Sequence, residues 1–270
     1  MPIVKANGIN IYYESHGKGE ALVLIGGYGS NSKGWFCQVP ALSREYRVIV
    51  FDNRGAGRSD KPDYPYTIKM MADDVAGLLN AIGIRKAHIM GLSMGGAIAQ
   101  EFAINYPEKT INLILGCTSC GAAHSKEMDP AVMAALLKMG QMTPEESARA
   151  LLPILFSKDF IENHPDIIAV QMKERFEYPT PAHGYANQAQ AVMGHDTYDR
   201  LPQIKAPTMV MAGSVDKLGP VENARIMSSR IPNAELVILE NMGHGFSVEA
   251  AEKTNNLILD FLKKHRSISK

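Results

Sequence analysis

Short apolar runs alternate along this chain with stretches in which apolar residues recur at helical spacing. The runs predict buried strands, and the spaced pattern predicts amphipathic helices. Nearly continuous apolar strands that alternate with helices are typical of a mainly parallel sheet with helices on both faces. The expected strands span 10–15, 21–25, 47–51, 86–90, 110–116, 208–213 and 235–240. The pattern therefore predicts an α/β fold, in which the first two strands, joined by a short turn, pair antiparallel.

Residues that commonly cap or end helices mark the ends of several predicted helices. Thr67 can cap a helix at its N-terminus, and Gly83 can end that helix because glycine tolerates a positive φ. Thr143 and Glu146 have the spacing of a capping box. Further helices are expected around 35–42 and over 97–106, 220–230 and 247–265.

The residue pattern of 121–200 differs from that of the rest of the chain. It contains no convincing strand, but it has several helix starts with proline at the first helical position. These starts are Asp129-Pro130, Thr143-Pro144, His164-Pro165 and Thr180-Pro181. Ligands of open α/β sheets bind outside the carboxyl ends of the strands, so four inserted helices there favour a lid over a structural embellishment. We therefore predict a core domain formed by 1–120 and 201–270, with a helical cap at 121–200.

A candidate nucleophile lies between a predicted strand and a predicted helix, in the segment Gly91-Leu92-Ser93-Met94-Gly95. The pattern G-x-S-x-G is typical of a nucleophile elbow, a strained turn that exposes the serine hydroxyl at a helix N-terminus. Its glycines let strand and helix pass closely, and the helix N-terminus favours developing negative charge. Ordinary glycine-rich turns also give this pattern, so Ser93 needs partners in the order serine, acid, histidine.

An acid and a histidine follow the last two predicted strands. Asp216 comes after 208–213 and a Gly-Ser turn, and His244 lies between two glycines after 235–240. Asp216 would then fix the tautomer of His244, which would take the proton of Ser93 and return it to the leaving group. Alone, Asp216 could be a turn former and His244 an exposed loop residue. Their order and strand context together predict a catalytic Ser-His-Asp triad.

Two backbone N–H groups are expected to form an oxyanion hole, which stabilises charge on the substrate oxygen. One belongs to Met94, directly after the nucleophile, and the other to Tyr28 in the glycine-rich loop 26–30. A phosphate-binding loop is the competing interpretation, but neither G-x-x-x-x-G-K-[ST] nor G-x-G-x-x-G occurs in the sequence.

Composition and charge narrow the class of function. The chain has 28 basic and 28 acidic residues, so no net field attracts nucleic acid or an anionic membrane. The sequence contains no apolar stretch of bilayer-spanning length and no secretion-signal pattern at its start. Three cysteines fit a reducing cytoplasm better than a disulfide framework. We expect a cytoplasmic monomer or homodimer with a small-molecule substrate, and with neither nucleic acid nor membrane as partner.

Other cysteine and histidine residues support weaker functional predictions. Cys117 and Cys120 form a C-x-x-C pair, which supplies only half of a tetrahedral zinc site and lacks a thioredoxin-like context. We interpret Cys117 as a small core residue. His124, His183 and His195 lie in or beside the predicted cap, where they could contact substrate or lie on solvated helix faces.

Five segments of the sequence, taken together, match a pattern of motifs seen in one protein family. These segments are 26–29, 51–59, 91–96, 213–216 and 243–244. Together they resemble the α/β-hydrolase fold family, and within it the small serine esterases and enol-lactonase-like members that carry a helical cap. The resemblance spans essentially the whole chain. It implies an eight-stranded, mostly parallel sheet with helices on both faces.

The same resemblance implies roles for single residues. In the family, 51–59 is a structural loop, so Asp52 and Arg54 are assigned to loop geometry. Many relatives have histidine where Gly26 and Leu92 stand in this chain. The change at Gly26 could loosen the oxyanion loop or widen the entrance, but it leaves the backbone donors in place.

The leading hypothesis is a hydrolase that cleaves a carboxylic ester through an acyl-enzyme on Ser93, with no metal or cofactor. Zero net charge, a mostly apolar cap and 15 methionines favour a small, uncharged or weakly polar substrate. The resemblance also permits a lactonase, a carbon–carbon bond hydrolase or a perhydrolase. It disfavours epoxide hydrolases and haloalkane dehalogenases, because those relatives carry aspartate at the position of Ser93. A hydrolase-like small-molecule receptor, whose cap movement recruits a protein, is the alternative from another class.

Overall fold

The computed structural model describes residues 2–139 and 142–266. The strands are β1 Ile3–Ala6, β2 Ile9–His16, β3 Ala21–Ile25, β4 Arg47–Phe51, β5 Ala87–Leu92, β6 Thr110–Gly116, β7 Thr208–Gly213 and β8 Glu235–Leu239. They form one sheet in the order β1-β2-β4-β3-β5-β6-β7-β8. Every neighbouring pair from β4 to β8 runs parallel, whereas β1 and β2 are antiparallel to their neighbours. The predicted mostly parallel, eight-stranded sheet is confirmed.

The predicted antiparallel pairing of 10–15 with 21–25 is wrong. β2 pairs with β4, and β3 lies on the far side of β4, where it runs parallel to it. The antiparallel partner that directly precedes β2 is β1, and the tight turn between them has positive φ at both Asn7 and Gly8. Asn-Gly is the preferred sequence of such a two-residue hairpin turn, so this signal was present in the sequence and was missed.

Helices separate the parallel strands, as the spacing of apolar residues predicts. Thr67 accepts a hydrogen bond from the backbone N–H of Met70, and Gly83 has φ +71° just beyond the end of its helix. The predicted helix 247–265 is interrupted at Ala250 and forms two helices. Outside residues 121–200, the described α-helices are α1 Val39–Leu42, α2 Ile68–Ala81, α3 Met94–Asn105, α9 Val221–Arg230, α10 Phe246–Glu249 and α11 Ala251–Lys264.

Apolar layers cover both faces of the sheet. Val23 and Ile25 belong to the buried cluster that contains residues of α2, α3 and α9, whereas Leu22 and Leu24 belong to the cluster that contains residues of α1 and α11. Alternate residues of one strand thus point to opposite faces, and both sets are fully buried. Because helices cover both faces of the sheet, a ligand can reach it only at the ends of its strands.

Between β6 and β7 lies a segment, residues 121–200, that we call the cap segment. Its α-helices are α4 Pro130–Met139, α5 Pro144–Leu155, α6 Lys158–Asn163, α7 Pro165–Glu177 and α8 Ala182–Met193. Four begin at or beside a predicted proline, and the Thr143 capping box is present at α5. α6 was missed because it begins without proline, after Ser157, whose hydroxyl accepts a hydrogen bond from the N–H of Phe160. No helix in the described part of the chain has the length and apolar character needed to cross a bilayer.

A buried histidine at the base of the cap segment makes stability depend on pH. Burial lowers the pKa of His195 to about 4. The unfolded chain takes up a proton near pH 6.5, and the folded chain does not until the pH is much lower. The free energy of unfolding is therefore expected to fall by about 3 kcal/mol between pH 7 and pH 4 from this residue alone.

Denaturant unfolding at several pH values checks this expectation. His195→Gln should flatten the fall in stability over this range. Equal slopes in the wild type and His195→Gln would contradict the expectation.

Candidate active site

Three residues predicted to act together follow three strands that end at one edge of the sheet. Ser93 follows β5, Asp216 comes after β7 and His244 after β8. β5, β6, β7 and β8 are consecutive neighbours and run parallel, so the loops that follow them leave the same edge. Residues that are far apart in the sequence thereby come to one end of the molecule.

The backbone at Ser93 has the strained geometry expected of an elbow. Ser93 has φ +55° and ψ −122°, a conformation that side-chain-bearing residues rarely adopt. A Cβ on Gly91 would overlap with the carbonyl of Gly95, and a Cβ on Gly95 would overlap with the carbonyl of Ile25. The turn is held by the N–H of Ser93, which donates to the carbonyl of Gly116 at 2.9 Å. The two glycines are therefore required by the close packing of strand and helix.

Asp216 and His244 form a direct pair. The distance between His244 Nδ1 and Asp216 Oδ2 is 2.8 Å, and the Asp216 side chain is completely buried. The other carboxylate oxygen accepts hydrogen bonds from the N–H groups of Leu218 at 2.9 Å and Gly219 at 2.8 Å. These bonds fix the orientation of the carboxylate, which in turn fixes the orientation of the imidazole.

Cys117 also contacts the imidazole of His244, although the sequence suggested only a core residue. It follows β6, between the strands that carry Ser93 and Asp216, and has φ +43°. It is buried in the apolar cluster, close enough to His244 to raise the pKa of the imidazole. Burial lowers the pKa of His244, but Cys117 and Asp216 together raise it well above its usual value. The only signal in the sequence was the position of Cys117 directly after a central strand.

The link between Ser93 and His244 differs from the link between His244 and Asp216. Within the described residues, the Ser93 hydroxyl has no hydrogen bond to His244, and the imidazole contacts Cys117 and Asp216 instead. Catalytic hydrogen bonds are often long or misaligned before substrate binds. Proton transfer from Ser93 would therefore require the hydroxyl and the imidazole to come within hydrogen-bond distance.

The loop 26–30 packs directly against Ser93. A Cβ built on Gly27 would lie 3.3 Å from the Cβ of Ser93 and 3.8 Å from its Oγ. The side chain of Asn53 donates to the carbonyl of Gly26 at 3.0 Å, and the hydroxyl of Ser30 donates to the carbonyl of Gly27 at 2.8 Å. These contacts place the backbone of the loop beside Ser93. The assignment of the Tyr28 and Met94 N–H groups as oxyanion donors stays a prediction.

Asp52 and Arg54 take part in the packing of their own loop. The carboxylate of Asp52 accepts hydrogen bonds from the N–H groups of Ser32 at 2.6 Å and Arg58 at 2.7 Å. Arg54 forms a completely buried ion pair with Asp74. Both arrangements agree with the loop-geometry assignment implied by the resemblance.

The remaining candidates contact residues other than the predicted triad. His124 stacks on the ring of Tyr198, and His183 donates to the carbonyl of Lys61 at 3.0 Å. The carbonyl of Cys120 accepts a hydrogen bond from the N–H of Thr197 at 2.7 Å, and burial raises the pKa of the Cys120 thiol. The contacts of His183 and Cys120 connect the cap segment to the rest of the chain, whereas the stacking of His124 lies within the cap segment.

The contact between Cys117 and His244 leads to a prediction about pH dependence. A general base must be neutral, so kcat/KM should fall as the pH drops below the pKa of His244, which lies above 6.5. Cys117→Ala removes one of the two groups that raise this pKa, and the acid limb of the profile should move to lower pH. Cys117→Ser keeps a hydrogen-bonding group and should move the limb less. An unchanged limb in Cys117→Ala would contradict the prediction.

Comparisons with known proteins agree with this architecture. A family model described as alpha/beta hydrolase fold matches residues 20–251. RutD of Stutzerimonas stutzeri (strain A1501), provisionally named a carbamate hydrolase, is 29% identical over 93% of this chain and 96% of its own length. The 2-hydroxy-6-oxo-6-phenylhexa-2,4-dienoate hydrolase of Comamonas testosteroni is 31% identical over 94% of this chain and 91% of its own. The crystal structure of the enol-lactonase from Burkholderia xenovorans LB400 superposes with a TM-score of 0.87 at 29% identity, covering 97% of this chain and 100% of the other.

Proposed function

The chain belongs to the alpha/beta hydrolase fold family, and on that premise we propose that it is a serine hydrolase that cleaves a small carboxylic ester through an acyl-enzyme on Ser93. The observation that supports this proposal most strongly is the 2.8 Å hydrogen bond between His244 and Asp216 at the sheet edge where Ser93 stands on its strained turn. A neutral histidine oriented by a buried carboxylate is the group that can deprotonate a serine hydroxyl.

The reaction has two halves. Ser93 Oγ attacks the ester carbonyl while His244 takes its proton, and the carbonyl oxygen becomes an oxyanion that accepts hydrogen bonds from the Tyr28 and Met94 N–H groups. The C–O bond to the alcohol then breaks, and His244 gives its proton to the departing alkoxide. In the second half, water attacks the acyl-enzyme with His244 as base, which releases the acid and restores the Ser93 hydroxyl.

The similar proteins support hydrolysis as the class of reaction, and the substrate is part of our proposal. An enol-lactonase cleaves a cyclic ester, a carbamate hydrolase and a carbon–carbon hydrolase break other bonds to an acyl carbon, and each adds water across that bond. We favour an ester because alcohols and enols are the leaving groups that need least assistance from a single histidine. The zero net charge of the chain fits a substrate without strong charge.

A substrate panel tests the proposal. p-Nitrophenyl esters of increasing acyl length, an enol-lactone, an aryl carbamate and a vinylogous 1,5-diketone are compared by kcat/KM. We expect the esters or the lactone to exceed the other two by at least about tenfold, since a site complementary to one leaving group discriminates by roughly this factor or more. A burst of p-nitrophenol equal to the enzyme concentration would mark the acyl-enzyme.

The second candidate is a carbon–carbon bond hydrolase, and it is favoured by the 31% identity to the Comamonas testosteroni enzyme. A higher kcat/KM on the vinylogous diketone than on every ester would establish it in place of the ester hydrolase. Turnover on none of the four classes would contradict both candidates.

A further inference from the structure

A glutamine of the cap segment reaches the loop that lies beside the nucleophile. Gln188 lies on α8 and is fully buried. Its side-chain oxygen accepts a hydrogen bond from the N–H of Gly29 at 2.8 Å, and its side-chain nitrogen donates to the carbonyl of Arg54 at 2.9 Å. One side chain thus joins the cap segment to two core loops, and both ends of its amide are used.

Two neighbours on the cap segment hold the same stretch of the loop. The hydroxyl of Thr180 donates to the carbonyl of Gly29 at 3.2 Å, so both backbone groups of this glycine are bound from the cap side. The ring of Tyr185 lies where a Cβ on Gly29 would be, and the carbonyl of Tyr185 accepts a hydrogen bond from the Tyr28 hydroxyl at 3.1 Å. Gly29 has φ +63°, so no larger residue fits this position without strain.

These bonds fix the two peptide planes on either side of Tyr28. The plane between Gly27 and Tyr28 is held because the Gly27 carbonyl accepts from the N–H and the hydroxyl of Ser30. In a trans peptide the N–H points opposite to the carbonyl, so the Tyr28 N–H points away from Ser30. The plane between Tyr28 and Gly29 is held by Gln188. Rotation of the Tyr28 N–H within its own plane requires the Ser30 bonds to break, and displacement of Tyr28 as a whole requires the Gly29 N–H to leave Gln188.

We propose that Gln188 is a positioning residue that holds the oxyanion loop, so that the cap segment sets the rate of chemistry at Ser93. This inference rests on the proposed function, because it assigns the loop beside Ser93 the task of binding the oxyanion. Loss of the side chain leaves the Gly29 N–H buried without its acceptor, and this cost favours a loop conformation in which the peptide planes have turned. A turned plane moves a preorganised donor away from the developing charge.

The test compares Gln188→Met with Gln100→Met. Both glutamines are fully buried, and Gln100 likewise uses both ends of its amide, on the Ser119 carbonyl and the Thr197 hydroxyl, away from the loop 26–30. Loss of one oxyanion donor costs roughly 100-fold or more, so a displaced donor should lower kcat and kcat/KM by roughly 10- to 100-fold in Gln188→Met. KM should stay within about threefold, because the loop acts on the transition state.

A boronic acid provides a readout that a merely structural role would not change. It forms a tetrahedral adduct with the nucleophile, so its affinity for Gln188→Met should fall by the same factor as kcat/KM. Gln100→Met should lose comparable stability yet keep both values within about twofold of the wild type. Gln188→Glu keeps an acceptor for the Gly29 N–H and should recover part of the lost kcat.

The outcomes separate the two proposals. In one outcome, Ser93→Ala abolishes turnover, whereas Gln188→Met keeps the kcat/KM and the boronate affinity of the wild type. The role of Gln188 is then wrong and the proposed function stands. If turnover survives in Ser93→Ala, the proposed function itself is wrong, and the role of Gln188 falls with it. Should Gln188→Met fail to fold, Gln188→Asn takes its place, because the shorter side chain draws the amide away from the Gly29 N–H; wild-type kcat/KM and boronate affinity in that variant would overturn the role.

Discussion

Ser93→Ala is expected to lower kcat on the preferred ester by about 10⁴-fold or more. Without the hydroxyl no acyl-enzyme can form, and the remaining oxyanion donors can assist only direct attack by water, which leaves a small residual rate. The fold should tolerate the change, because the Ser93 hydroxyl makes no hydrogen bond within the described residues and alanine has the same backbone requirements at φ +55°. The free energy of unfolding should change little.

Ser119→Ala is the matched control for this variant. Ser119 is also half-buried and follows the neighbouring strand β6, but the structure gives it no contact with His244. Its kcat should equal that of the wild type. Turnover in Ser93→Ala within tenfold of the wild type would mean that another group carries the acyl transfer.

Asp216→Asn is expected to lower kcat by about 10⁴-fold with little loss of stability. The asparagine oxygen can still accept from the N–H groups of Leu218 and Gly219, and its NH₂ group then occupies the place of the oxygen that faces His244 Nδ1. Two donors cannot face one another, so Nδ1 must become the acceptor and the proton moves to Nε2. In that tautomer the imidazole cannot accept the proton of Ser93.

Asp52→Asn is the control for Asp216→Asn, because it should lower stability without lowering catalytic activity. Asp52 is as deeply buried as Asp216, and its carboxylate accepts from Ser32 and Arg58 in the structural loop. Its replacement should lower the unfolding free energy by about 1–3 kcal/mol, because NH₂ meets an N–H donor. Activity per folded molecule should remain. The reverse result, a stable Asp52→Asn without activity and an active Asp216→Asn, would reassign the acid.

The sequence predicts those parts of the fold that depend on local pattern. Strand-helix alternation, the Thr67 cap and the Thr143 capping box are all confirmed, because each is decided by a few neighbouring side chains. The pairing of β2 with β4 could not be read from such a pattern, since strand order is set by long-range packing of equally apolar strands. The division into core and cap stays a prediction.

The candidate site shows the same limit. Ser93, Asp216 and His244 are candidates because each follows a strand in a recognisable loop. The structure brings Asp216 and His244 within 2.8 Å, and the triad itself stays a prediction. The contacts of Cys117 with His244 and of Gln188 with Gly29 could not, because they join residues far apart in the sequence without a motif. The hydrolase fold is shown by the family match, whereas the ester substrate is a proposal that activity must test.

The most direct measurement of the central claim, that Ser93, His244 and Asp216 act as one relay, is the rate of labelling by a fluorophosphonate followed by peptide mass mapping. This reagent needs no knowledge of the substrate, because it reports only the activated hydroxyl. We expect one label per wild-type chain, on Ser93, and a labelling rate at least about 100-fold lower in His244→Ala and Asp216→Asn. A label on any other residue, or labelling of Ser93 at the wild-type rate in both variants, would contradict the central claim.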